Sequence, residues 1–383
     1  MNQRFNEIVG LRFYLAVWVA VGHGMRLAGY ADESSPVTSL LLNGDAAVVI
    51  FMIISGFVIA HLIATSREAY VPYIIRRFFR LYPAFVVCNL LGYFLIEPWA
   101  QLTAAAPWSD EKGWTAYANA VEGIATSQRE HLAAHLFAHA TMLHGMIPRE
   151  ILPYAARTFL PAAWSISLEW QFYLIAPLIL AACRSSRGLT VLTVTAAALY
   201  ALAWKGLFGH FLGLSFIAMA SPYFAIGIAS RLAFPKLVNL PVSPLPAAVL
   251  AVSVAISLTK DAVPLAIWGA FYSYLLWQNN DRLTGRMFRL VTTPKPLFIL
   301  GEASYSLYLL HRPIQVILAV ILAGAVGASQ RGMLAVQLIA IPIAALFSLA
   351  LFFGIEKPFM KFAKRVTVSK KPVSPAEIAA TGP

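Results

Sequence analysis

The chain has 383 residues, of which 59% are hydrophobic and 12% charged, and its formal net charge is +12. Soluble domains carry about 25% charged residues, so this composition excludes an ordinary water-soluble domain. Lys and Arg concentrated in cytoplasmic loops account for a positive charge in a membrane protein, so nucleic-acid binding is not expected. The two cysteines, Cys88 and Cys183, both lie in apolar segments, and no disulfide framework is implied.

Recurring apolar runs predict an all-α, polytopic integral membrane bundle of about ten helices. Most Lys and Arg residues fall in the loops on one side, which places both termini in the cytoplasm. The membrane domain is expected over 1–365, and the Pro-, Ala- and Ser-rich end, 366–383, is expected to be a disordered cytoplasmic tail. The predicted spans are 11–30, 46–64, 81–98, 164–183, 189–205, 211–230, 245–258, 263–278, 297–323 and 333–354.

The first span contains Arg12 and His23, which are eleven residues apart. That spacing corresponds to about 16 Å of helix and about three whole turns, so both side chains point the same way. A cation inside a span is costly to insert unless it faces protein or water. The pair therefore indicates a chemical site inside the membrane domain. In the second span, Ser55 and Gly56 allow close helix approach, and packing is the first explanation for them.

Three arginines, Arg76, Arg77 and Arg80, crowd one side of a helical turn at the entrance to the third span. An ordinary positive-inside anchor explains them. A clamp for a polyanion explains them equally, because guanidinium groups suit bidentate phosphate contacts. With Arg12 nearby, four cations would converge on one cytoplasmic mouth.

Residues 99–163 are expected on the outer side, with an interfacial or re-entrant helix over 132–147. His131, His135 and His139 recur there at four-residue spacing. A metal site and a polar stripe on an interfacial helix both fit that spacing. The stripe is favoured, and no metal is predicted, because no suitable carboxylate or cysteine partner is visible.

Two later segments carry polar residues inside apolar helices. Ser165 and Glu169 share a face of the span that begins at 164, where Glu169 is either a wetted helix-start carboxylate or a partner for His23 or a hydroxylated acceptor. Ser304, Tyr308 and His311 fall at i, i+4 and i+7 and form a polar stripe on a buried helix. Near the end of the last span, Glu356 is predicted to pair with an arginine or to cap a helix.

Together these segments resemble the acyltransferase 3 family, the membrane O-acyltransferases that modify bacterial surface polysaccharides, lipid-linked sugars and some secondary metabolites. The resemblance covers residues 8–360. It rests on LRFYLAVWVAVGH, FMIISGF, RRFFRLYP, WSISLEWQFYL, GEASYSLYLLHRP and IEKP, which occur in the family's order and spacing. Two positions depart from the family pattern, since Phe13 replaces the usual glycine and Arg312 stands where an aromatic residue is common.

The resemblance implies His23 as the essential catalytic residue, with Glu169 as a weaker second. It implies that the arginines bind acyl-CoA, usually acetyl-CoA, as a donor substrate, with no permanently bound cofactor. The acceptor would be a hydroxyl of a glycan or glycoside, and the location the bacterial cytoplasmic (inner) membrane. Further candidates for acceptor binding or support are Ser55, Ser165, Tyr308 and His311.

Spacing adds a physical expectation, namely that an open passage leads from the cationic mouth to a lone buried imidazole at His23. The imidazole would act as a general base toward the acceptor hydroxyl or would carry the acyl group itself, and both routes remain open. Two other classes also remain open. One is a secondary transporter of a small anionic solute, against which no paired repeats are seen. The other is a non-catalytic membrane scaffold.

Overall fold

The computed structural model describes residues 5–30, 35–66, 68–106, 108, 114–259 and 261–367. Every regular element in these ranges is a helix. The α-helices are α1 Asn6–Leu27, α2 Pro36–Leu42, α3 Gly44–Ser66, α4 Tyr70–Ala105, α5 Trp114–Glu130, α6 Leu132–Ala140, α7 Trp164–Ala182, α8 Ser186–Trp204, α9 Ile217–Leu237, α10 Pro244–Leu258, α11 Val263–Trp277, α12 Arg282–Thr292, α13 Lys295–Glu302, α14 Ser304–Val326, α15 Gln330–Leu351 and α16 Lys357–Thr367.

Eight helical segments in the described ranges are long and apolar enough to cross a membrane. α10 and α11 are apolar but have only 15 residues each, about 22 Å of helix against a hydrocarbon layer of about 30 Å. Each of the ten predicted spans overlaps a helix. The prediction of an all-helical, multi-pass membrane protein is therefore confirmed.

Several predicted boundaries were wrong. The span expected at 81–98 belongs to the 36-residue α4, which begins at Tyr70 and contains the arginine cluster. The span expected at 297–323 is divided at Ala303 into α13 and α14. Hydropathy falls at charged residues, whereas helical hydrogen bonding continues through them, so apolar runs understate helix length. The expected tail begins inside α16, which ends at Thr367, and residues 368–383 lie outside the described residues.

The centre of the bundle depends on close contact between α3 and α9. A side chain at Gly56 would overlap the backbone carbonyl of Phe224, and one at Gly227 would overlap that of Ile53. The two backbones therefore approach more closely than larger residues would permit, as the small-residue pair in α3 predicted. At the periphery, α8 buries only Ala203, so its apolar side chains are left to face lipid.

The segment between α4 and α7 forms a compact layer rather than one interfacial helix. α5 was not predicted, and α6 is followed by a short 3₁₀ turn at His144–Met146. The predicted polar stripe was wrong for two of its members, because His135 and His139 are buried. His135 Nε2 lies 2.9 Å from Ser127 Oγ, and the ring of His139 stacks on that of His144 at 4.1 Å.

Candidate active site

A cavity of about 200 Å³ runs among α1, α3, α4, α7 and α14. It has a cationic end, a carboxylate and a row of hydroxyl groups. Charged groups are costly inside a membrane bundle, and packing alone does not explain them. Its polar lining residues are Arg12, Ser55, Arg77, Arg80, Ser165, Glu169, Tyr173, Ser304, Tyr305 and Tyr308.

The cationic end joins α1 to the first turns of α4. Arg12, Arg77 and Arg80 all line the cavity, as the sequence predicted for a cytoplasmic mouth. The Nε atom of Arg77 is buried without a hydrogen-bond partner in the described residues, and its guanidinium lies 5.9 Å from the centre of the Tyr173 ring. A guanidinium donor that has no partner and lies beside a cavity suits an anionic ligand.

Arg76 does not belong to this group. It does not line the cavity, and its Nε donates to Thr367 Oγ1 at 2.7 Å and lies 3.0 Å from Glu68 Oε1. Because α4 turns about 100° per residue, Arg76 and Arg77 cannot face the same direction. Three cations, rather than the predicted four, therefore converge on the cavity.

Glu169 lies on the cavity wall and is held by two hydroxyl groups. Ser55 Oγ donates to its Oε1 atom at 3.2 Å, and the Tyr173 hydroxyl donates to the same atom. The expected contact with His23 is absent, because Glu169 faces α3 instead. Its electrostatic partners include Arg12 and Arg80, so it balances charge at the cationic end.

Glu356 supplies a second carboxylate near the arginines. It is fully buried, and Ser306 Oγ donates to its Oε2 atom at 2.8 Å, whereas Oε1 lacks a partner in the described residues. It ends a π-helical turn, Phe352–Glu356, between α15 and α16. Among the charges acting on Arg80, Glu356 is the strongest. The predicted pairing with an arginine therefore takes the form of a longer-range attraction.

The polar stripe on α14 faces the site along its whole length. Ser304 lines the cavity, and one turn later the Tyr308 hydroxyl lies 2.8 Å from Ser165 Oγ and donates to the carbonyl of Ala162 at 3.0 Å. One turn further, His311 Nε2 lies 3.1 Å from His23 Nδ1. The i, i+4, i+7 pattern thus joins the cavity to the imidazole of α1.

His23 is consequently one member of a pair rather than a lone imidazole. Nδ1 of His311 is buried and has no hydrogen-bond partner in the described residues. The contact permits a tautomer in which His311 Nε2 accepts a hydrogen bond from His23 Nδ1–H. In this tautomer His23 Nε2 carries the free lone pair.

Arg312 holds the backbone beside this pair, a role that the sequence analysis did not identify. Its Nη1 donates to the carbonyl of His23 at 3.2 Å, and its Nη2 donates to the Tyr117 hydroxyl. The guanidinium lies 4.3 Å from the centre of the Trp99 ring and is only 5% exposed. Residues of α1, α4 and α5 therefore all contact the buried guanidinium that α14 carries.

The expected open passage to His23 is absent in this conformation. The cavity ends at Ser165 and Tyr308, and His23 is not part of its lining. Between them, the ring of Tyr308 lies 5.8 Å from that of His311, which in turn lies 5.1 Å from that of His23. The hydroxyl pair of Tyr308 and Ser165 thus stands between the cationic cavity and the imidazole pair.

Comparison with known proteins agrees with the resemblance found in the sequence. A family model described as an acyltransferase domain matches residues 5–355. The chain belongs to the acyltransferase 3 family, and its described residues include eight helical segments long and apolar enough to cross a membrane. The acyltransferase MdmB of Streptomyces mycarofaciens is 24% identical over 181 residues, which make up 46% of this chain and 39% of MdmB. The match thus spans about two fifths of that relative. No solved structure matches the chain.

Tyr173 and the cage around Arg312 are the site residues that sequence reasoning missed. Tyr173 lies one turn after Glu169, so helical spacing alone could have paired them. Trp99 and Tyr117 gave no such signal, because they come from α4 and α5 and meet Arg312 only through the tertiary fold.

Proposed function

We propose that this enzyme moves an acyl group from cytoplasmic acyl-CoA, with acetyl-CoA as the first candidate, to a sugar hydroxyl. The acceptor would be a cell-surface polysaccharide, a lipid-linked glycan or a similar glycoside, and the location the bacterial cytoplasmic membrane. One observation carries the proposal. An arginine-lined cavity inside the bundle ends one tyrosine away from the pair formed by His23 and His311.

The donor is inferred from charge and shape. Arg12, Arg77 and Arg80 would bind the phosphates of coenzyme A, because guanidinium groups recognise phosphate oxygens through paired hydrogen bonds. The thin arm carrying the thioester would follow the cavity toward Tyr308. About 16 Å of helix separates Arg12 from His23, which is of the order of the length of that arm.

The chemistry is inferred from the tautomer of the imidazole pair. His23 Nε2 would take the proton of the acceptor hydroxyl as its oxygen attacks the thioester carbonyl carbon. The carbon–sulfur bond then breaks, the acyl group stays on the acceptor oxygen, and the thiolate of coenzyme A leaves and recovers the proton from His23. His311 would hold His23 in the required tautomer through the 3.1 Å contact.

Access to His23 requires Tyr308 to move. Within the described residues, its hydroxyl bonds to Ser165 at the start of α7 and to the carbonyl of Ala162 just before α7. Rotation of this side chain would exchange two hydrogen bonds and open the way to His311. We expect donor binding to favour that rotation, because the thioester arm would occupy the end of the cavity.

The direct test is acyl transfer by purified full-length protein in detergent. Release of coenzyme A from acetyl-CoA is measured with extracted glycans as acceptors, and the glycan mass is followed in parallel. Wild type is expected to release coenzyme A and to shift the glycan mass by one acyl group. His23→Ala is expected to abolish both signals while remaining monodisperse. Full activity of His23→Ala would overturn the assignment.

Rapid quenching separates the two routes at His23. After mixing with radiolabelled acetyl-CoA and no acceptor, direct transfer leaves the protein unlabelled, because no covalent intermediate forms. An acyl-histidine route labels the peptide that contains His23. His311→Gln, which keeps a neutral acceptor at that position, serves as a variant in which His23 remains available to be labelled.

A further inference from the structure

α12 (Arg282–Thr292) is an amphipathic helix with three separate faces. One face is pressed against the protein, because side chains at Gly285 and Gly10 would overlap the carbonyls of Gln278 and Thr292. A second face carries arginines at i, i+4 and i+7, and a third carries apolar residues one position further along. These residues are Arg282, Arg286 and Arg289, and Leu283, Met287 and Leu290.

The apolar face has no covering element in the described structure. Leu283 is 70% exposed, Met287 61% and Leu290 62%. α16 also has apolar and basic faces, but its Phe359 and Phe362 rings contact Phe79 of α4. Nothing within the described residues covers this face of α12, and in a membrane protein lipid acyl chains provide such a covering.

The basic face borders a groove in which one arginine is held by hydrogen bonds and the other two are exposed. Arg289 Nη1 donates to Gln278 Oε1 at 3.1 Å and to Asn279 Oδ1 at 3.4 Å, and both acceptors line the groove. Arg282 and Arg286 line the same groove and are exposed. Neither forms an ion pair with a carboxylate in the ranges that the structure covers.

The position of α12 matches the level of lipid phosphates. It packs against the first turns of α1, where the Tyr14 hydroxyl donates to the carbonyl of Val291 at 2.8 Å. Gln278 Nε2 also donates to Glu7 Oε1 at 3.1 Å. α12 thus lies at the same end of the bundle as Arg12, which the charge distribution assigns to the cytoplasmic surface.

We propose that this groove binds the phosphate of an anionic phospholipid whose acyl chains cover the apolar face. Arg282 and Arg286 would contact the phosphate oxygens, and Leu283, Met287 and Leu290 would enter the acyl-chain region. The basic face then contacts an anion and the apolar face contacts acyl chains, neither of which the described residues provide. This inference does not depend on the proposed acyl transfer.

Native mass spectrometry of the full-length protein tests the proposal. The detergent-purified protein is mixed with phosphatidylglycerol or phosphatidylcholine carrying identical acyl chains. Wild type is expected to retain phosphatidylglycerol several-fold more than phosphatidylcholine. Arg282→Gln with Arg286→Gln is expected to remove that preference. The matched control is Arg184→Gln with Arg187→Gln, which removes two exposed charges just before α8 and in its first turn and is expected to keep that preference.

Three results would overturn the proposal. Wild type could retain both lipids equally, the α12 variant could keep its preference, or the control could lose it to the same extent. A fourth measurement separates a lipid site from a nucleotide site. If adenosine 3′,5′-bisphosphate displaces phosphatidylglycerol at equal concentration, the groove binds nucleotide phosphates and the lipid assignment is wrong. Leu283→Asn with Met287→Asn should weaken retention of phosphatidylglycerol without removing an arginine.

Discussion

His23 Nδ1 and His311 Nε2 lie 3.1 Å apart, although 288 positions separate the two residues in the chain. The contact joins α1 to α14, so that the imidazole of His23 is paired with a second imidazole. In the tautomer in which His23 Nδ1–H donates to His311 Nε2, the free lone pair is on His23 Nε2. The arrangement is comparable to a base and its orienting group, with a neutral imidazole in place of a carboxylate.

Replacement of His311 should slow the reaction without weakening donor binding. His311→Phe removes the acceptor of the His23 Nδ1 hydrogen bond, so the imidazole can rotate and change tautomer. We expect kcat to fall about 10- to 100-fold, the usual effect of removing a group that orients a site residue. His311→Gln, which retains an acceptor, should recover part of that loss. Equal kcat for His311→Phe and wild type, measured by coenzyme A release, would contradict the role.

Arg312 should be needed for the position of His23 rather than for binding of the donor. Its guanidinium connects the His23 carbonyl, Tyr117 and the face of Trp99. Lys cannot make these contacts together, because an ammonium group lacks the planar fork. We therefore expect both Arg312→Lys and Arg312→Met to lower kcat while the KM for acyl-CoA stays near that of wild type. A rise in KM with unchanged kcat would instead place Arg312 in the donor site.

Arg76 and Arg77 provide a matched pair for testing the donor site. They are adjacent, carry the same charge and lie on the same helix, but only Arg77 lines the cavity. Arg77→Gln should raise the Kd for acyl-CoA about tenfold or more, since hydrogen bonds to charged groups contribute about 1.5–3 kcal/mol. Arg76→Gln should leave that Kd within about twofold. Binding is measured by isothermal titration with a non-hydrolysable acyl-CoA analogue. Equal effects would show that bulk charge, and not the cavity, controls binding.

The helices and the polar stripes were predictable from the sequence because both follow from short-range periodicity. Each of the ten apolar runs overlaps a helix, and Ser304, Tyr308 and His311 were placed on one face by spacing alone. Arg12 and His23 were assigned to one side of α1 by the same reasoning. These inferences need only the geometry of a single helix.

Contacts between distant segments were not predictable in this way. One role considered for Glu169 was as a partner for His23. The structure places His311 there instead, because the rotation of α7 in the bundle turns Glu169 toward Ser55. The position of Tyr308 between the cavity and the imidazole pair also depends on how distant helices pack together. Arg76 was grouped with Arg77 because both lie three or four residues from Arg80, whereas a 100° step separates the directions of Arg76 and Arg77.

The packing of α3 on α9 gives a prediction about stability. Gly227→Ala would place a methyl group against the carbonyl of Ile53, so the two helices must separate. We expect a loss of about 1–3 kcal/mol, which is typical of overpacking. Gly324→Ala in α14 is the control, since no atom lies within 4 Å of its added Cβ. Thermal unfolding in detergent measures both variants. A Gly227→Ala protein as stable as the Gly324→Ala protein would contradict the tight contact.

The buried histidines of the layer between α4 and α7 should make that layer sensitive to acid. Burial lowers the pKa of His139 to about 4, and the ordinary value in an unfolded chain is about 6.5. His135 and His144 face it from the same layer, and burial lowers the pKa of both imidazoles as well. Between pH 6.5 and 4 the unfolded chain binds more protons than the folded one. The free energy of unfolding therefore falls as the pH falls through this window, by about 2 kcal/mol at pH 5 for His139 alone.

A comparison of two histidine variants tests this origin of acid sensitivity. Thermal unfolding is measured at pH 7.5 and pH 5 for wild type, His139→Gln and His131→Gln. His131 is exposed and does not belong to the buried group, so His131→Gln should keep the pH dependence of wild type. His139→Gln removes one buried titrating group and should reduce the difference in Tm between the two pH values. If His139→Gln and wild type lose the same Tm on acidification, the acid sensitivity arises elsewhere, because only a group that titrates differently in the two states can contribute to it.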